Sequence, residues 1–425
     1  MNQITKIILK VIGNRIRKKI LPEISNEQCG FIKGKGTRNA IFILRMLMER
    51  VIEVKKELYI CFVDFEKAFD RVRHEDLMKM LEELELDGKD LRLIKNLYWK
   101  QEAAVRVSNS ESSTQSIKRG VRQGCVMSPD FLNYYAEMII RELKDLEGIK
   151  VGGENVNNIR YADDTTLVAD SYEKLQNLID ALDRASQEKG LNINMKKTKV
   201  MVVTKEKQSP KIDMKINNHS IEQVEVQIEQ VDQFNYLGSI VNFEGRCEED
   251  IKKRIILAKN AYGKIRNLVT NSKISLKTRR RFIKCYVWSV LMYGCETWTM
   301  GKADEQRIQA AEMWFYRRML KVSWTERRTN EEILEMADVE REIISTIKKR
   351  QMRFLGHVMR RNGLENLCIT GKLEGRKPRG RPHFKYLDQF TSKEIKATHI
   401  IQSTNLRDKW QTMISNVQEK DTAHR

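Results

Sequence analysis

Two adjacent acids, Asp163 and Asp164, lie between two short apolar runs in the segment Arg160–Ala169. Strand-length runs on either side of such a pair predict a β-hairpin whose tight turn carries the acids. Two like charges at one turn cost stability unless a cation lies beside them, and a divalent metal is the natural candidate because hard cations prefer carboxylate oxygens. The alternative is an ordinary Asp-rich turn, in which the carboxylates bond to their own backbone. This segment by itself leaves both interpretations open.

The chain is strongly basic. Its 425 residues include 78 Lys and Arg against 58 Asp and Glu, which gives a formal net charge of +20. A surplus of this size favours a polyanionic partner, with nucleic acid first and an anionic membrane surface second. No apolar run reaches the roughly 18 residues of a transmembrane helix, and the first ten residues lack a signal-peptide pattern. Seven scattered cysteines without a Cys-x-x-Cys pair predict no disulfide framework and no zinc ribbon, and they favour a reducing intracellular compartment.

A third acid follows an apolar segment of strand length. Leu58–Val63 is a continuous apolar run, which predicts a strand buried on both faces, and Asp64 comes directly after it. Strands and amphipathic helices alternate as far as residue 243, and Gly190 suits the position just past the end of one of these helices. Nearly all of the chain after Glu248 has helical periodicity, in segments near 248–269, 275–298, 304–320 and 331–361. Thr329 and Glu332 have the spacing of a capping box for the last segment. This order of strands and helices predicts an α+β domain followed by a helical appendage.

The acids indicate one kind of chemistry if the buried strand lies beside the acidic hairpin. Asp64 and Asp163 would then meet at one sheet edge, where two or three carboxylates could hold a pair of Mg²⁺ ions roughly 3.5–4 Å apart. Such a pair stabilises the entering and leaving oxygens of an in-line phosphoryl displacement, which needs positioning and charge neutralisation rather than a covalent nucleophile. The basic chain around the acids would hold a nucleic-acid substrate.

Five segments, taken in order, resemble motifs A to E of reverse transcriptases. They are Phe62–Asp70 (A), Gly120–Pro129 (B), Tyr161–Asp164 (C), Gly190–Thr198 (D) and Phe234–Gly238 (E). The stretch Gln28–Thr37 resembles the fingers segment upstream of motif A in non-LTR (LINE-type) retrotransposon enzymes. The resemblance covers about residues 1–245 and extends more loosely over the helical tail. It implies an α+β right-hand polymerase, with partial fingers, a palm of antiparallel sheet and helices, and a thumb, followed by a helical C-terminal region.

The resemblance also implies roles for the acids and for one lysine. Asp64, Asp163 and Asp164 would be the metal-binding residues, with two Mg²⁺ ions, or Mn²⁺ as the alternative ion. Lys197 would be the motif D lysine that protonates pyrophosphate as it leaves. Its neighbours Lys196 and Lys199 are competing candidates for that role.

Motif B and the end of motif A supply the expected nucleotide pocket. Phe69 would lie under the incoming sugar and reject a ribose 2′-OH, and the alternative is a plain core aromatic. Arg122, Gln123 and Gly124 would line the nucleotide and template pocket, because a glycine lets the backbone approach a substrate closely. The alternative for these three residues is a simple turn that enters a helix at Pro129.

Further residues are expected to contact nucleic acid or to form the core. Motif E would grip the primer end, with a generic hairpin as the alternative; its residues are Tyr236, Leu237 and Gly238. Basic loop residues are expected at the nucleic-acid backbone, namely Lys33, Lys35, Arg379 and Arg381. The run around the last two resembles an AT-hook core, and the alternative is a solvated basic linker. The spacing of four tryptophans predicts core packing rather than base stacking; they are Trp288, Trp298, Trp314 and Trp324.

The sequence therefore predicts an RNA-directed DNA polymerase of a non-LTR retroelement. Its partners would be an RNA template, a DNA primer and deoxynucleoside triphosphates, and we expect no membrane partner. We expect the protein in the nucleus or the cytoplasm, as a ribonucleoprotein. The expected domains are fingers and palm at 1–245, a thumb-like region at 246–328 and a basic region at 329–425, which contains a Gly/Pro/Arg loop at 371–382. Since family members carry more fingers sequence and an endonuclease, we expect an N-terminally truncated fragment of a longer polyprotein. The alternative is an impaired remnant that only binds nucleic acid, and no feature indicates the oligomeric state.

Overall fold

The chain folds into two compact units. The computed structural model describes residues 3–98, 101–122, 124–206, 208–218, 224–375, 384–391 and 395–418. The first unit comprises Met1–Ala40, Val54–Asp232 and Gly371–Arg376, and the second comprises Ile41–Glu53, Gln233–Thr370 and Lys377–Arg425. The predicted domain boundaries after residues 245 and 328 both fall inside the second unit and stay predictions.

The first unit contains most of the strands. Its helices are α1 (Gln3–Ile20), the first turn of α2 (Thr37–Glu53), α3 (Ala68–Arg71), α4 (His74–Glu83), α5 (Gly88–Tyr98), α6 (Ser128–Arg141) and α7 (Tyr172–Glu188). Its strands are β1 (Leu58–Val63), β2 (Gln101–Ala103), β3 (Arg106–Val107), β4 (Ser110–Glu111), β5 (Gln115–Ile117), β6 (Ile149–Val151), β7 (Glu154–Val156), β8 (Asn158–Tyr161), β9 (Asp164–Ala169), β10 (Lys199–Val203), β11 (Lys215–Asn218), β12 (Val224–Gln227) and β13 (Glu229–Gln230). Of these, α3, α5 and the β6–β7 hairpin were not predicted from the sequence.

A five-stranded sheet forms the centre of the first unit, in the order β13-β10-β1-β9-β8. The apolar strand β1 lies in the middle and pairs antiparallel with both β9 and β10. Every residue of β1 is buried except Tyr59, which is partly buried, so the predicted strand buried on both faces is confirmed. The register pairs Val63 with Thr165, which brings the end of β1 beside the start of β9.

Helices α6 and α7 cover the sheet through buried apolar side chains, including Phe131 and Tyr135 of α6 and Leu178 and Leu182 of α7. The ends of α7 follow from its sequence. The Ser171 hydroxyl caps the helix by accepting a hydrogen bond from the Lys174 amide, at 3.3 Å. Gly190 follows the last turn with a φ of 74°, a conformation that glycine adopts without strain, so its predicted place just past the helix end is confirmed.

The second unit is almost entirely helical. It contains the rest of α2, the hairpin strands β14 (Gln233–Tyr236) and β15 (Ser239–Asn242), and the helices α8 (Glu248–Val269), α9 (Leu276–Phe282), α10 (Ser289–Leu291), α11 (Lys302–Leu320), α12 (Asn330–Ala337), α13 (Ile343–Met359), α14 (Leu364–Thr370), α15 (Ala397–Asn405) and α16 (Arg407–Ser415). A wider π-helical turn, Ile283–Trp288, joins α9 to α10. Trp288 and Trp298 are buried in its core, as predicted from their spacing.

Two long helices predicted in the second unit are interrupted. The expected helix 275–298 is divided by the π-helical turn and ends before the 3₁₀ turn Cys295–Thr297. The expected helix 331–361 is two helices, because Asp338 adopts a left-handed φ of 50° that ends α12. The predicted capping box at the start of α12 is confirmed: the Glu332 carboxylate accepts from the Thr329 amide at 2.7 Å, and the Glu332 amide donates to the Thr329 hydroxyl at 3.2 Å.

All seven cysteines are free thiols, which agrees with the expectation of no disulfide framework, and six of them are buried. Among the described residues, no helix is long and apolar enough to cross a membrane.

Glu312 of α11 makes the second unit sensitive to pH. Its carboxylate is buried and accepts hydrogen bonds from the amides of Glu342 and Ile343, each at 3.2 Å. Burial raises the pKa of Glu312 to about 7, from an ordinary value of 4.5, and the two hydrogen bonds offset only part of this effect. The folded state therefore holds a proton that the unfolded chain has lost between about pH 4.5 and 7.

We expect the free energy of unfolding to fall as the pH rises through this interval, by an amount of the order of 3 kcal/mol attributable to Glu312. The Glu312→Gln variant keeps the hydrogen-bond acceptor and removes the titration. In urea unfolding between pH 5 and 8, the free energy of unfolding of Glu312→Gln should increase relative to that of the parent as the pH rises. Glu335→Gln, an exposed change on α12, is the matched control. Parallel pH profiles for the parent and Glu312→Gln would contradict this expectation.

Candidate active site

The acid pair lies at the tip of the β8–β9 hairpin. Tyr161 pairs with Asp164, so Ala162 and Asp163 form the two-residue turn, and Ala162 adopts a φ of 59°. The predicted hairpin with acids at its turn is confirmed. The strands emerge from the buried sheet, and Asp164 is exposed while Asp163 is partly buried.

Asp64 reaches the same place from the neighbouring strand. It directly follows β1, and its backbone is held by the motif D segment, because its carbonyl accepts from the Asn194 amide at 2.7 Å. The Lys197 ammonium lies 3.4 Å from the Oδ2 atom of Asp64. That oxygen is buried and has no hydrogen-bond partner in the described part of the chain. The structure thus brings together Asp64, Asp163, Asp164 and Lys197.

The electrostatics reflect this convergence. Desolvation raises the pKa of Asp163, and the charge of Asp64 adds to the increase while Lys197 opposes it. Desolvation and then the charges of Asp163 and Asp64 raise the pKa of Asp164 to about 6. Because Asp164 is exposed, water screens part of this interaction. The carboxylates therefore repel one another, and a bound cation would relieve the repulsion.

The donor set suits a hard divalent cation, since it consists of carboxylate oxygens. Within the described residues, however, no three His, Cys, Asp or Glu side chains lie close enough together to form a complete metal site. The Lys197 ammonium is the cation nearest to Asp64 in this arrangement. The three carboxylates lie at one edge of the sheet, but in this arrangement they do not converge on one ion position.

A buried glutamine that the sequence did not single out holds the acidic turn. The Gln28 side chain accepts from the Ala162 amide at 2.9 Å and donates to the Ala162 carbonyl at 3.2 Å. Its oxygen also accepts from the Gly30 amide at 2.7 Å. A Cβ atom on Gly30 would lie 2.1 Å from the Ala162 nitrogen, so only glycine allows this close approach. In the sequence, Gln28-Cys29-Gly30 stood out only as part of the loop segment Gln28–Thr37, and nothing in it predicted that Gln28 holds the acidic turn.

A buried ion pair supports the hairpin from below. Arg160 of β8 is fully buried, and its guanidinium lies 2.8 Å from the Glu137 carboxylate of α6. Ser25 bonds to both side chains, accepting from Arg160 and donating to Glu137 at 3.3 Å through its hydroxyl. Such a pair makes removal of one partner costly, because the other charge would remain buried.

The motif B segment lies beside the end of motif A. The Val121 amide donates to the Phe69 carbonyl at 2.8 Å, and the Phe69 ring is partly buried against the core. Arg122 and Gly124 are exposed, and Gly124 has a φ of 76° with open space where a Cβ would lie. Gln123 lies outside the described residues.

The predicted backbone-binding residues differ in their surroundings. Lys33 is exposed, whereas the Lys35 ammonium donates to the Asn26 carbonyl at 2.6 Å and so also ties its own loop together. Arg379 and Arg381 lie outside the described residues, so their contacts with nucleic acid stay predictions.

The predicted primer-grip residues belong to the second unit. Tyr236 pairs with Ser239, and the turn residues Leu237 and Gly238 have φ values of 48° and 82°, a combination typical of a type I′ hairpin. Two side chains fix the turn: the Tyr293 hydroxyl donates to the Leu237 carbonyl at 2.8 Å, and Arg254 donates to the Gly238 carbonyl.

A buried carboxylate, Asp250 of α8, anchors the same hairpin. It accepts from the Ser239 hydroxyl at 2.6 Å and from the Ile240 amide at 2.9 Å. Arg45 pairs with it at 3.0 Å, and the Trp298 indole donates to it at 2.9 Å. The hairpin is therefore a defined element of the second unit and not a loosely attached turn.

Comparison with known proteins decides the family. The profile described as "Reverse transcriptase (RNA-dependent DNA polymerase)" matches residues 1–241, more than half of the chain. The chain belongs to the reverse transcriptase family. The predicted resemblance to non-LTR retrotransposon enzymes and the right-hand polymerase fold class are confirmed. The roles of individual residues remain predictions.

Similar proteins come from mobile elements. A Pol polyprotein from an R2 retrotransposable element of Nasonia vitripennis is 27% identical over 57% of this chain and 24% of its own length. A putative transposon-derived protein of Caenorhabditis elegans is 30% identical over 50% of this chain and 75% of its own length. The jockey RNA-directed DNA polymerase of Drosophila funebris is 23% identical over 83% of this chain and 38% of its own length. The chain thus spans about a quarter to two fifths of the R2 and jockey proteins.

Among solved structures, a telomerase from Candida tropicalis with a fragment of telomeric RNA is similar, with a TM-score of 0.40 and 13% identity. The alignment covers 87% of this chain and 56% of the telomerase chain.

Removal of the Gln28 amide should loosen the acidic turn. In Gln28→Met, the Ala162 amide and carbonyl and the Gly30 amide lose their buried partner, so we expect a loss of roughly 1–3 kcal/mol in the free energy of unfolding. Hydrogen exchange at Ala162 should accelerate relative to the parent. Gln187→Met, the same substitution on α7, is the control and should leave that exchange unchanged. Equal protection of the Ala162 amide from hydrogen exchange in both variants would contradict this role of Gln28.

Proposed function

We propose that this chain is the RNA-directed DNA polymerase of a non-LTR retroelement and that its catalytic centre is the edge formed by Asp64, Asp163 and Asp164. The observation that carries the proposal is the convergence of these three carboxylates from two adjacent strands, in a chain of the reverse transcriptase family. The reaction would be transfer of a deoxynucleotide to a primer 3′-OH, directed by an RNA template.

The three acids would hold two divalent ions, with Asp64 and Asp163 as ligands of both and Asp164 more peripheral. Their oxygens suit Mg²⁺, with Mn²⁺ as the alternative. The buried Oδ2 atom of Asp64, which lacks a hydrogen-bond partner among the described residues, and the raised pKa values of Asp163 and Asp164 support this assignment. When bound, the ions would supply charge stabilisation for an in-line phosphoryl displacement.

Lys197 would supply a proton near the acids. Its side chain is 68% exposed, and its ammonium lies 3.4 Å from Asp64, so it is close to the proposed reaction centre and accessible from solvent. In the catalytic state, this ammonium would donate its proton to the departing pyrophosphate. Its contact with Asp64 favours Lys197 over Lys196 and Lys199 for this role, because Lys199 pairs instead with Glu229 at 2.6 Å.

The remaining motif residues would bind substrates. Phe69 would lie under the sugar of the incoming deoxynucleoside triphosphate, and Arg122, Gln123 and Gly124 would line the nucleotide and template pocket. Tyr236, Leu237 and Gly238 would hold the DNA primer end, while Lys33, Lys35, Arg379 and Arg381 would contact the nucleic-acid backbone. The net charge of +20 supports nucleic acid as the partner. The protein would act as a ribonucleoprotein in the nucleus or cytoplasm.

Loss of the acid pair should abolish polymerisation. Primer extension with purified protein on an RNA template should require Mg²⁺ and should fall at least about 10²-fold in Asp163→Asn, Asp164→Asn, because several kcal/mol of charge stabilisation are removed. Asp180→Asn, on the surface of α7, is the control. Product that forms equally in the acid-pair variant would refute the assignment. A parent that binds nucleic acid without extending any primer would instead identify a remnant with binding activity only.

A smaller side chain at position 69 should weaken sugar selection. In Phe69→Val, we expect the ratio of ribonucleotide to deoxynucleotide incorporation to rise by about tenfold or more, since a shape change of this size is worth roughly 1–3 kcal/mol in a pocket. Single-nucleotide kcat/KM values for both substrates give the ratio. An unchanged ratio in an active variant would leave Phe69 as a core aromatic only.

A further inference from the structure

The second unit contains a cavity with a strongly basic lining. Its volume is about 920 Å³, within the range of pockets that bind ligands of nucleotide size or larger. Five cationic side chains line it, and no Asp or Glu does so in the described part of the chain. They are Arg266 of α8, Arg317 and Arg318 of α11, Lys321 directly after α11, and Arg341.

The cations are only partly neutralised. Arg341 lies 3.7 Å from Glu331, and Arg317 donates to the Arg328 carbonyl at 2.8 Å and to Asn330 at 3.1 Å, which orients its guanidinium. Arg266, Arg318 and Lys321 are exposed and have no acidic partner within 4 Å among the described residues. A concave surface with this charge concentrates positive potential and attracts a polyanion.

An aromatic face accompanies the charge. Trp314 lines the cavity and is partly buried, whereas Trp288 and Trp298 are buried in the core. The Tyr262 ring packs edge-on against Trp314, with ring centroids 5.5 Å apart, and fixes its orientation. The Arg318 guanidinium lies over the Trp314 ring, 5.0 Å from its centroid, and the Lys259 ammonium lies 5.3 Å from the same centroid. A base that stacks on Trp314 would therefore displace one of these cations, which would then be free to pair with a phosphate.

We infer that this cavity binds a segment of single-stranded nucleic acid, with a base stacked on Trp314 and neighbouring phosphates paired with Arg266, Arg318 and Lys321. Proteins that bind single strands combine these two elements, a basic groove and an aromatic platform. A duplex fits less well, because its stacked bases are not free to enter a cavity. An acidic peptide would match the charge but offers no base for Trp314. The inference rests on the proposed function, since it assigns a strand-binding site to a protein that handles RNA and DNA.

The test measures binding of labelled 12-residue oligouridylate RNA and oligothymidylate DNA to the full chain, by fluorescence anisotropy over a series of salt concentrations. No Mg²⁺ or nucleotide is added. In Arg266→Gln, Arg318→Gln, Lys321→Gln, the slope of log K against log salt should decrease in magnitude by about 2, because each phosphate that no longer meets a cation reduces it by about 0.7. The control Arg353→Gln, Lys396→Gln, Arg407→Gln removes the same charges from exposed residues that do not line the cavity.

A second arm tests the stacking. Trp314→Leu should raise Kd roughly 5- to 150-fold, whereas Trp314→Phe, which keeps a ring, should retain much of the affinity. Because Trp314→Leu could unfold the unit, RNA with 5-iodouridine is also cross-linked to the parent chain, and the cross-link should map to α11. RNA and DNA arms show which strand the cavity prefers, and preference for either one supports the inference.

Three results would overturn the inference. The first is an equal salt slope for the variant Arg266→Gln, Arg318→Gln, Lys321→Gln and for its control. The second is a loss of affinity in this variant that is as large for a labelled duplex, measured in the same way, as for the single strands. The third is a set of cross-links that avoids α11. The Asp163→Asn, Asp164→Asn variant should bind these single strands as the parent does. Failure of primer extension together with cavity-dependent binding would therefore reject the proposed function alone. Normal extension with cavity-independent binding would reject this inference alone.

Discussion

The antiparallel register between β1 and β9 is the constraint on which the candidate site depends. Pairing Val63 with Thr165 puts Asp64 beside the turn that carries Asp163 and Asp164, and a shift by one residue would turn every side chain of β1 to the opposite face. Burial favours pairing of β1 on both sides within the sheet, since nearly all of the strand is inside the protein. The hydrophobic effect therefore stabilises the sheet strongly enough to hold carboxylates that repel one another at its edge.

Polar groups behind this sheet edge fix the backbone of the acidic turn against the repulsion between the carboxylates. Gln28 bonds to both the amide and the carbonyl of Ala162, and Gly30 allows the loop to approach this residue. Deeper in the unit, Arg160 and Glu137 neutralise each other in a buried pair. These contacts place the turn without touching the carboxylates themselves. The acids remain available for ligands, and the positions of their backbones are set in advance.

The second unit uses the same solution for its own hairpin. Asp250 gathers Ser239, Arg45 and Trp298 around the start of α8, so a single buried carboxylate ties the β14–β15 hairpin to two helices and a loop. The unit also shows why periodicity predicted its helices better than their ends. Apolar spacing continues through residues 331–361, but Asp338 takes a left-handed conformation and starts a new helix direction. The π-helical turn Ile283–Trp288 carries no distinctive residue that would have revealed it.

The sequence by itself determined the buried strand β1, the acidic hairpin, the glycine after α7, the capping box of α12 and the family, because these features depend on local patterns of apolar, turn and motif residues. It could not determine the partners of those residues. That Lys197 rather than Lys199 contacts Asp64, that Gln28 clamps a turn about 134 positions away, and that Trp314 lines a basic cavity while Trp288 is buried were decided by tertiary structure alone. The physical reason is that hydrogen bonds, ion pairs and burial join residues that are distant in the chain. Local propensity does not specify which distant residue makes the contact.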